Sequence, residues 1–168
     1  MKYPLAKNGI FNTIQGEGSM LGEPMLFIRL AGCSVGCPRC DTDYSVASRM
    51  DAAEILAELQ TARSRTYTNW VWLTGGEPMA HDLFPLICAL REGGKFNITI
   101  ATSGHKEVPD NFTMRHQCRL SVSPHDPNKW VQMVGDELNI VPGLNGFKID
   151  DFMTKLNSTP NAFRAKRV

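Results

Sequence analysis

The strongest chemical signal in the sequence is the run Cys33-Ser34-Val35-Gly36-Cys37-Pro38-Arg39-Cys40, in which three cysteines are separated by three and then two residues. Three thiolates on one short loop can each take one iron of a [4Fe–4S] cubane, which leaves the fourth iron without a protein ligand. An open iron can be chelated by the amino and carboxylate groups of S-adenosylmethionine. One electron passed to the sulfonium then breaks the S–C5′ bond and releases a 5′-deoxyadenosyl radical. Zinc is the competing occupant, but it prefers four ligands, commonly as two separated pairs. Cys88 lies among Leu86, Ile87 and Leu90 as a core residue would, and Cys118 lies beside an apolar run, so neither supplies a matching pair. Five cysteines with three clustered point to metal or redox chemistry in a reducing compartment, not to a disulfide framework.

Short apolar runs alternating with helical patterns must position this loop. Residues 10–15 and 25–31 are expected strands, joined through Gly16-Glu17-Gly18 and Gly22. Asp51 can cap a helix with Glu54 as its capping-box partner, and Ile55, Leu56, Leu59 and Ala62 recur on one face. Residues 70–73 form a continuous apolar run suited to a strand buried on both sides, ending in Thr74-Gly75-Gly76-Glu77-Pro78. A second helix starts at Asp82, carries Leu83, Leu86, Ile87 and Leu90, and stops at Gly93-Gly94. Residues 96–101, 119–122 and 137–141 are further strands, and 150–156 a last short helix. Strands separated by helices imply a mostly parallel α/β sheet with right-handed crossovers. Ligands collect at the C-terminal ends of such strands. The cysteines, Gly75-Gly76-Glu77, Thr102-Ser103-Gly104 and Ser123-Pro124-His125 all follow strands, so four loops converge on one mouth.

The chain has 168 residues, 42% hydrophobic and 21% charged, which is expected to form a single domain over 1–168. A net charge of +1 gives no electrostatic reason to expect nucleic acid or an anionic membrane as partner. The polar N-terminus has no signal-peptide core, and a cytoplasmic location is expected. His81 and His116 read as solvated or capping residues, and Trp70 and Trp72 as core.

Taken in order, these motifs identify a family resemblance. Phe11-Asn12-Thr13-Ile14-Gln15-Gly16-Glu17-Gly18, Phe27-Ile28-Arg29-Leu30, the cysteine loop ending Cys40-Asp41-Thr42, Trp72-Leu73-Thr74-Gly75-Gly76-Glu77-Pro78, Thr102-Ser103-Gly104 and Val122-Ser123-Pro124 resemble the 7-carboxy-7-deazaguanine synthases of the radical S-adenosylmethionine superfamily. The resemblance runs over residues 1 to about 125. It implies a partial, TIM-like barrel of mostly parallel strands with helices outside, shortened at the C-terminus, where the family's Leu-Gln-Pro segment is absent. It implies a carbon–nitrogen lyase that converts 6-carboxy-5,6,7,8-tetrahydropterin to 7-carboxy-7-deazaguanine with loss of ammonia, on the route to queuosine and other 7-deazapurines. The implied cofactors are the [4Fe–4S] cluster on Cys33, Cys37 and Cys40, S-adenosylmethionine, and Mg²⁺ on Thr42. Arg39, Cys40, Asp41, Gly76, Glu77, Ser123, Pro124 and His125 would contact S-adenosylmethionine. Ile14, Gln15, Gly16, Glu17, Arg29 and Thr74 would hold the pterin. No protein acid or base is implied, since the radical comes from the cofactor. A reductant such as flavodoxin or ferredoxin and a homodimer complete the expectation.

Two departures from the family pattern stand in the site. Arg39 replaces an aromatic residue, where a planar guanidinium can stack instead, and His125 replaces a lysine. The cysteines alone would equally suit an activase that places a glycyl radical on a partner enzyme, or a non-catalytic iron–sulfur or zinc module. Arg29 could be a plain surface residue at the end of its strand, and Gly16-Glu17-Gly18 a simple hairpin turn.

Overall fold

The computed structural model describes residues 1–109, 118–159 and 163–165, so His116 lies outside the described residues. A seven-stranded sheet is built from β1 (Lys2–Ile14), β2 (Pro24–Leu30), β3 (Ser48–Asp51), β4 (Trp70–Gly75), β5 (Asn97–Thr102), β6 (Arg119–Val122) and β8 (Glu137–Leu138), in the order β3-β1-β2-β4-β5-β6-β8. A two-stranded ribbon pairs β7 (Val134–Gly135) with β9 (Arg164–Ala165). The run from β2 through β4, β5 and β6 to β8 is parallel, whereas β1 is antiparallel to both of its neighbours.

Strand β1 is longer than the apolar run that announces it. Its first half, Lys2–Leu5, pairs with β3, which no apolar run marks in the sequence. The register with β2 shifts between Leu5 and Ile10, where Asn8 takes φ +55°. The bend lets one strand serve two partners. Strand β8 ends at Leu138, short of the expected 141, because its partner β6 ends opposite it at Val122.

The helices form where sequence chemistry starts them. Asp51 accepts from the amides of Ala53 and Glu54 at 3.0 Å, and Glu54 returns a bond to the Asp51 amide at 2.7 Å, a complete capping box on α1 (Ala52–Thr66). Helix α2 (Phe84–Cys88) widens into a π turn over Ala89–Gly93, which divides the expected single helix. Helix α3 covers Ile149–Ser158. Ile55 and Leu59 of α1 and Leu86 and Ile87 of α2 join Leu26, Ile28, Leu30, Val71, Leu73, Ile98 and Ile100 in one buried cluster.

That cluster takes alternate residues of each parallel strand, and the remainder face the other way. In register across the sheet, one row runs Phe27, Trp72, Thr99 and Arg119. Further along lie the pair Arg29–Thr74 and the row Ala101, Ser121 and Glu137. Residues 71–73 are buried on both faces, as expected: Val71 and Leu73 pack beneath the helices, and Trp72, equally buried, faces the opposite, concave side. The sheet is also curled. Ser19, in the β1–β2 connection, lies 2.7 Å from Glu137 of β8, although four strand spacings of about 4.8 Å would separate β2 from β8 in a flat sheet.

Replacing Asp51 by Ala removes the side-chain acceptor of the Ala53 and Glu54 amides and is expected to lower stability by about 1 kcal/mol, measured as a shift in the urea unfolding midpoint with unchanged slope.

Candidate active site

The concave face encloses a cavity of about 600 Å³. Its floor is aromatic: Phe11 and Phe27 stack with centroids 5.1 Å apart, and Phe27 meets Trp72 at 6.3 Å. The Arg29 guanidinium sits 5.0 Å above the Phe11 ring and has no carboxylate partner among the described residues. A half-buried cation with only a π-face beneath it is poised to receive an anion.

The cysteine loop closes one side. Its base is pinned to consecutive residues of β1, through Ala31 N–H to the Pro4 carbonyl at 2.8 Å and Ala47 N–H to the Leu5 carbonyl at 2.9 Å, with Gly32 bonded to Tyr44 between them. His81 also ties the loop down, with Nε2 2.8 Å from the Ala31 carbonyl oxygen; it is half-buried under the loop rather than solvated. Cys33, Cys37 and Cys40 are free thiols and all line the cavity. Burial, opposed by the Asn145 amide, raises the Cys37 thiol. Among the described residues no three His, Cys, Asp or Glu side chains could hold a single metal ion. A donor set of three thiols without a fourth ligand suits a cubane that spreads its protein ligands over three separate irons.

The β4–β5 side is organised by Glu77, only 3% exposed. One carboxylate oxygen accepts from Met79 N–H at 3.0 Å and Thr102 Oγ1 at 2.8 Å, while the other accepts from Ser103 N–H at 2.8 Å and from Ser103 Oγ. The preceding glycines are dictated by backbone contact. A Cβ on Gly75 would lie 2.0 Å from the Leu30 carbonyl oxygen, and one on Gly76 1.8 Å from that of Gly32. These close approaches bring the amides of Gly76 and Glu77 to the carbonyls of Leu30 and Gly32, each at 2.9 Å.

His125 Nδ1 lies 3.1 Å from Cys37 Sγ, and burial first, then His105, holds its pKa below the usual histidine value. Asn145 uses its amide twice, toward Cys37 Sγ at 3.4 Å and the His125 carbonyl at 2.9 Å. At the far end Gln15 is buried, with Oε1 accepting from Gly16 N–H and Nε2 unpartnered. Glu17 stands at the mouth; burial, then the carboxylates of Glu137 and Asp41, raise its pKa.

No protein-family model matches the chain. It is 34% identical over 164 residues to the 7-carboxy-7-deazaguanine synthase of Escherichia coli (strain K12), covering 85% of this chain and 65% of that protein. It is 42% identical over 142 residues to that of Rhodospirillum rubrum, covering 83% of this chain and 55% of the relative. The crystal structure of QueE from Escherichia coli superposes with a TM-score of 0.74 at 27% identity, over 99% of this chain and 82% of that one. The chain is a relative of the 7-carboxy-7-deazaguanine synthases. It spans between 55% and 65% of the length of these two synthases. Its fold, like that of QueE, is a partial barrel: mostly parallel, with helices outside and the sheet left open.

Of the residues that resemblance to the synthases points to, the cavity gathers Ile14, Gln15, Gly16, Glu17, Arg29, Cys33, Cys37, Cys40, Asp41, Thr42, Thr74, Gly76, Glu77, Ser123 and His125. Arg39 and Pro124 do not line it: Arg39 is exposed and Pro124 is buried behind the loop. Sequence reasoning overlooked Phe11, Phe27 and Asn145. Counting back two residues from Arg29 along the strand would have found Phe27. Nothing in the sequence marks Asn145, which is 108 residues from Cys37.

Removing the Glu77 carboxylate with Glu77→Ala strands four donors, three of them buried, and each buried one costs about 1–3 kcal/mol when left unsatisfied. The expected loss is at least about 3 kcal/mol, read from urea unfolding, with Glu77→Gln falling between Ala and wild type.

Proposed function

We propose that the chain is a radical S-adenosylmethionine enzyme that converts 6-carboxy-5,6,7,8-tetrahydropterin to 7-carboxy-7-deazaguanine with loss of ammonia, working as one domain over residues 1–168. The observation that carries this reading is the unpaired Arg29 guanidinium on an aromatic floor, in the same cavity as three free cysteines. A pterin carboxylate and ring match that combination: the guanidinium grips two oxygens with parallel bonds and the rings offer a flat apolar face. The relatives at 34% and 42% identity bear the name of this activity.

In this reading Cys33, Cys37 and Cys40 hold the [4Fe–4S] cluster. When bound, the cluster and S-adenosylmethionine supply a 5′-deoxyadenosyl radical that removes a hydrogen atom from the substrate. The chain's own residues bind and orient. Asp41, Gly76, Ser123 and His125 bound the space for S-adenosylmethionine, with Glu77 acting through the turn it holds. A neutral His125 offers a hydrogen bond where a lysine would add charge. Arg29 takes the pterin carboxylate and Thr74 lies beside it in register. Gln15 Nε2, free and buried, suits a carbonyl oxygen, and Glu17 accepts from the guanine-like N–H edge. Thr42, whose hydroxyl bonds Asp41 at 3.1 Å, is the oxygen donor proposed for Mg²⁺. Arg39 would act only at the edge of this site, being exposed. An external one-electron reductant such as flavodoxin or ferredoxin, and a homodimer, belong to the same reading. The activase and non-catalytic alternatives gain no support from these relatives.

Anaerobic reconstitution with iron and sulfide, then reductant, S-adenosylmethionine, Mg²⁺ and 6-carboxytetrahydropterin, is expected to give 7-carboxy-7-deazaguanine by mass spectrometry. 5′-Deoxyadenosine without that product would overturn the substrate assignment. Cys37→Ala is expected to abolish the cluster's visible absorbance and all cleavage of S-adenosylmethionine. Arg29→Ala should keep the cluster but lower kcat/KM for the pterin by about 10²-fold, the worth of a charge-assisted pair of roughly 3 kcal/mol; an unchanged value would remove Arg29 from the site.

A further inference from the structure

The loop that carries Gly16, Glu17 and Gly18 is tethered beyond its own hairpin at a single place among the described residues. Within the hairpin it is closed by Gln15 N–H to the Glu23 carbonyl and Gly22 N–H to the Gln15 carbonyl, at 2.8 and 2.9 Å. Across the concave face, Ser19 donates its amide and hydroxyl to one carboxylate oxygen of Glu137, at 2.7 and 2.6 Å. Arg119 Nη2 donates to Ser19 Oγ at 2.8 Å, and Asn139 braces Glu137 from behind at 3.3 Å while bonding Ser121 at 2.9 Å. Gly18 is what admits the carboxylate: it adopts φ +68°, and a Cβ there would lie 2.4 Å from Glu137 Oε1. Meanwhile a Cβ on Gly16 would meet no atom within 4 Å, and no residue of the turn Gly18–Met20 is buried.

We propose that Glu137 is a positioning residue that latches this loop across the open barrel and so presents Gln15, Gly16 and Glu17 to the substrate. The proposal rests on the function proposed above. Glu137 does not line the cavity; it acts on the substrate through Ser19 and the backbone of the loop, besides the charge it places near Glu17, which Glu137→Gln removes. Its carboxylate accepts from Ser19, Ser121 and Asn139, a donor set that favours the ionised form against the effect of burial. With the latch broken, the glycines on either side of Glu17 leave it free to swing from the mouth, and substrate binding then bears the ordering cost of the segment.

The test uses reconstituted holoenzyme carrying Glu137→Ala, Glu137→Gln or Ser19→Ala. Hydrogen exchange of the amides of residues 16–22 is followed by mass spectrometry, alongside KM and kcat for 6-carboxytetrahydropterin and 5′-deoxyadenosine formation without pterin. Expected are exchange at least tenfold faster in the loop, a KM raised at least tenfold with a smaller change in kcat, and unchanged cluster absorbance and pterin-free cleavage. The double variant Glu137→Ala/Ser19→Ala should be no worse than either single one, since both remove the same contact. Unchanged exchange, or faster exchange with an unchanged KM, would overturn the latch. If wild type makes no product, the proposed function fails while the exchange measurement still decides whether Glu137 holds the loop.

Discussion

The buried carboxylate of Glu77 fixes the relation between the strand ends on which the cavity depends. It accepts from four donors and has no cation within ion-pair distance among the described residues, so its buried oxygens are satisfied by hydrogen bonds. Those donors come from the turn after β4 and from the end of β5 with the residue that follows it, which are thereby locked at one height. The backbone on the other side of Glu77 is equally committed, since the amides of Gly76 and Glu77 bond the end of β2 and the start of the cysteine loop. Three strand ends meet at one residue. A shift of that turn would move the thiols, Thr74 and Ser103 together.

Above this junction, the period of two in each parallel strand sorts the chemistry. Ile28, Val71, Leu73 and Ile98 go to the helices, and Phe27, Arg29, Trp72 and Thr74 go to the cavity. Because the barrel does not close, the concave face is not filled by its own side chains, and an aromatic floor with a cation above it remains accessible.

The parts of this arrangement set by near neighbours were legible in the sequence. The Asp51–Glu54 cap spans three residues, the cysteine spacing eight, and the start of β4 and both ends of β6 were read from the local pattern. The parts set at long range were not. His81 meets Ala31 across 50 positions, Asn145 meets Cys37 across 108 and Ser19 meets Glu137 across 118, so no local pattern could announce them. Strand β3 was missed for a related reason: Ser48-Arg49-Met50-Asp51 carries no apolar run and is a strand because β1 offers it an edge. The run Gly75-Gly76 was recognised at the end of a strand, but that these glycines make room for the backbone of Leu30 and Gly32 was not legible there.

The pinning of residues 31 and 47 to Pro4 and Leu5 has a consequence for how the three cysteines come to act together. A free segment of that length would have to surrender its closure entropy at the moment its thiols met a common ligand. Here the ends are already joined through neighbouring residues of one strand, so that loss falls on folding. Under the proposed function, the loop would meet its cluster as a small ring instead of an open chain, and assembly would need only to choose among the conformations of that ring.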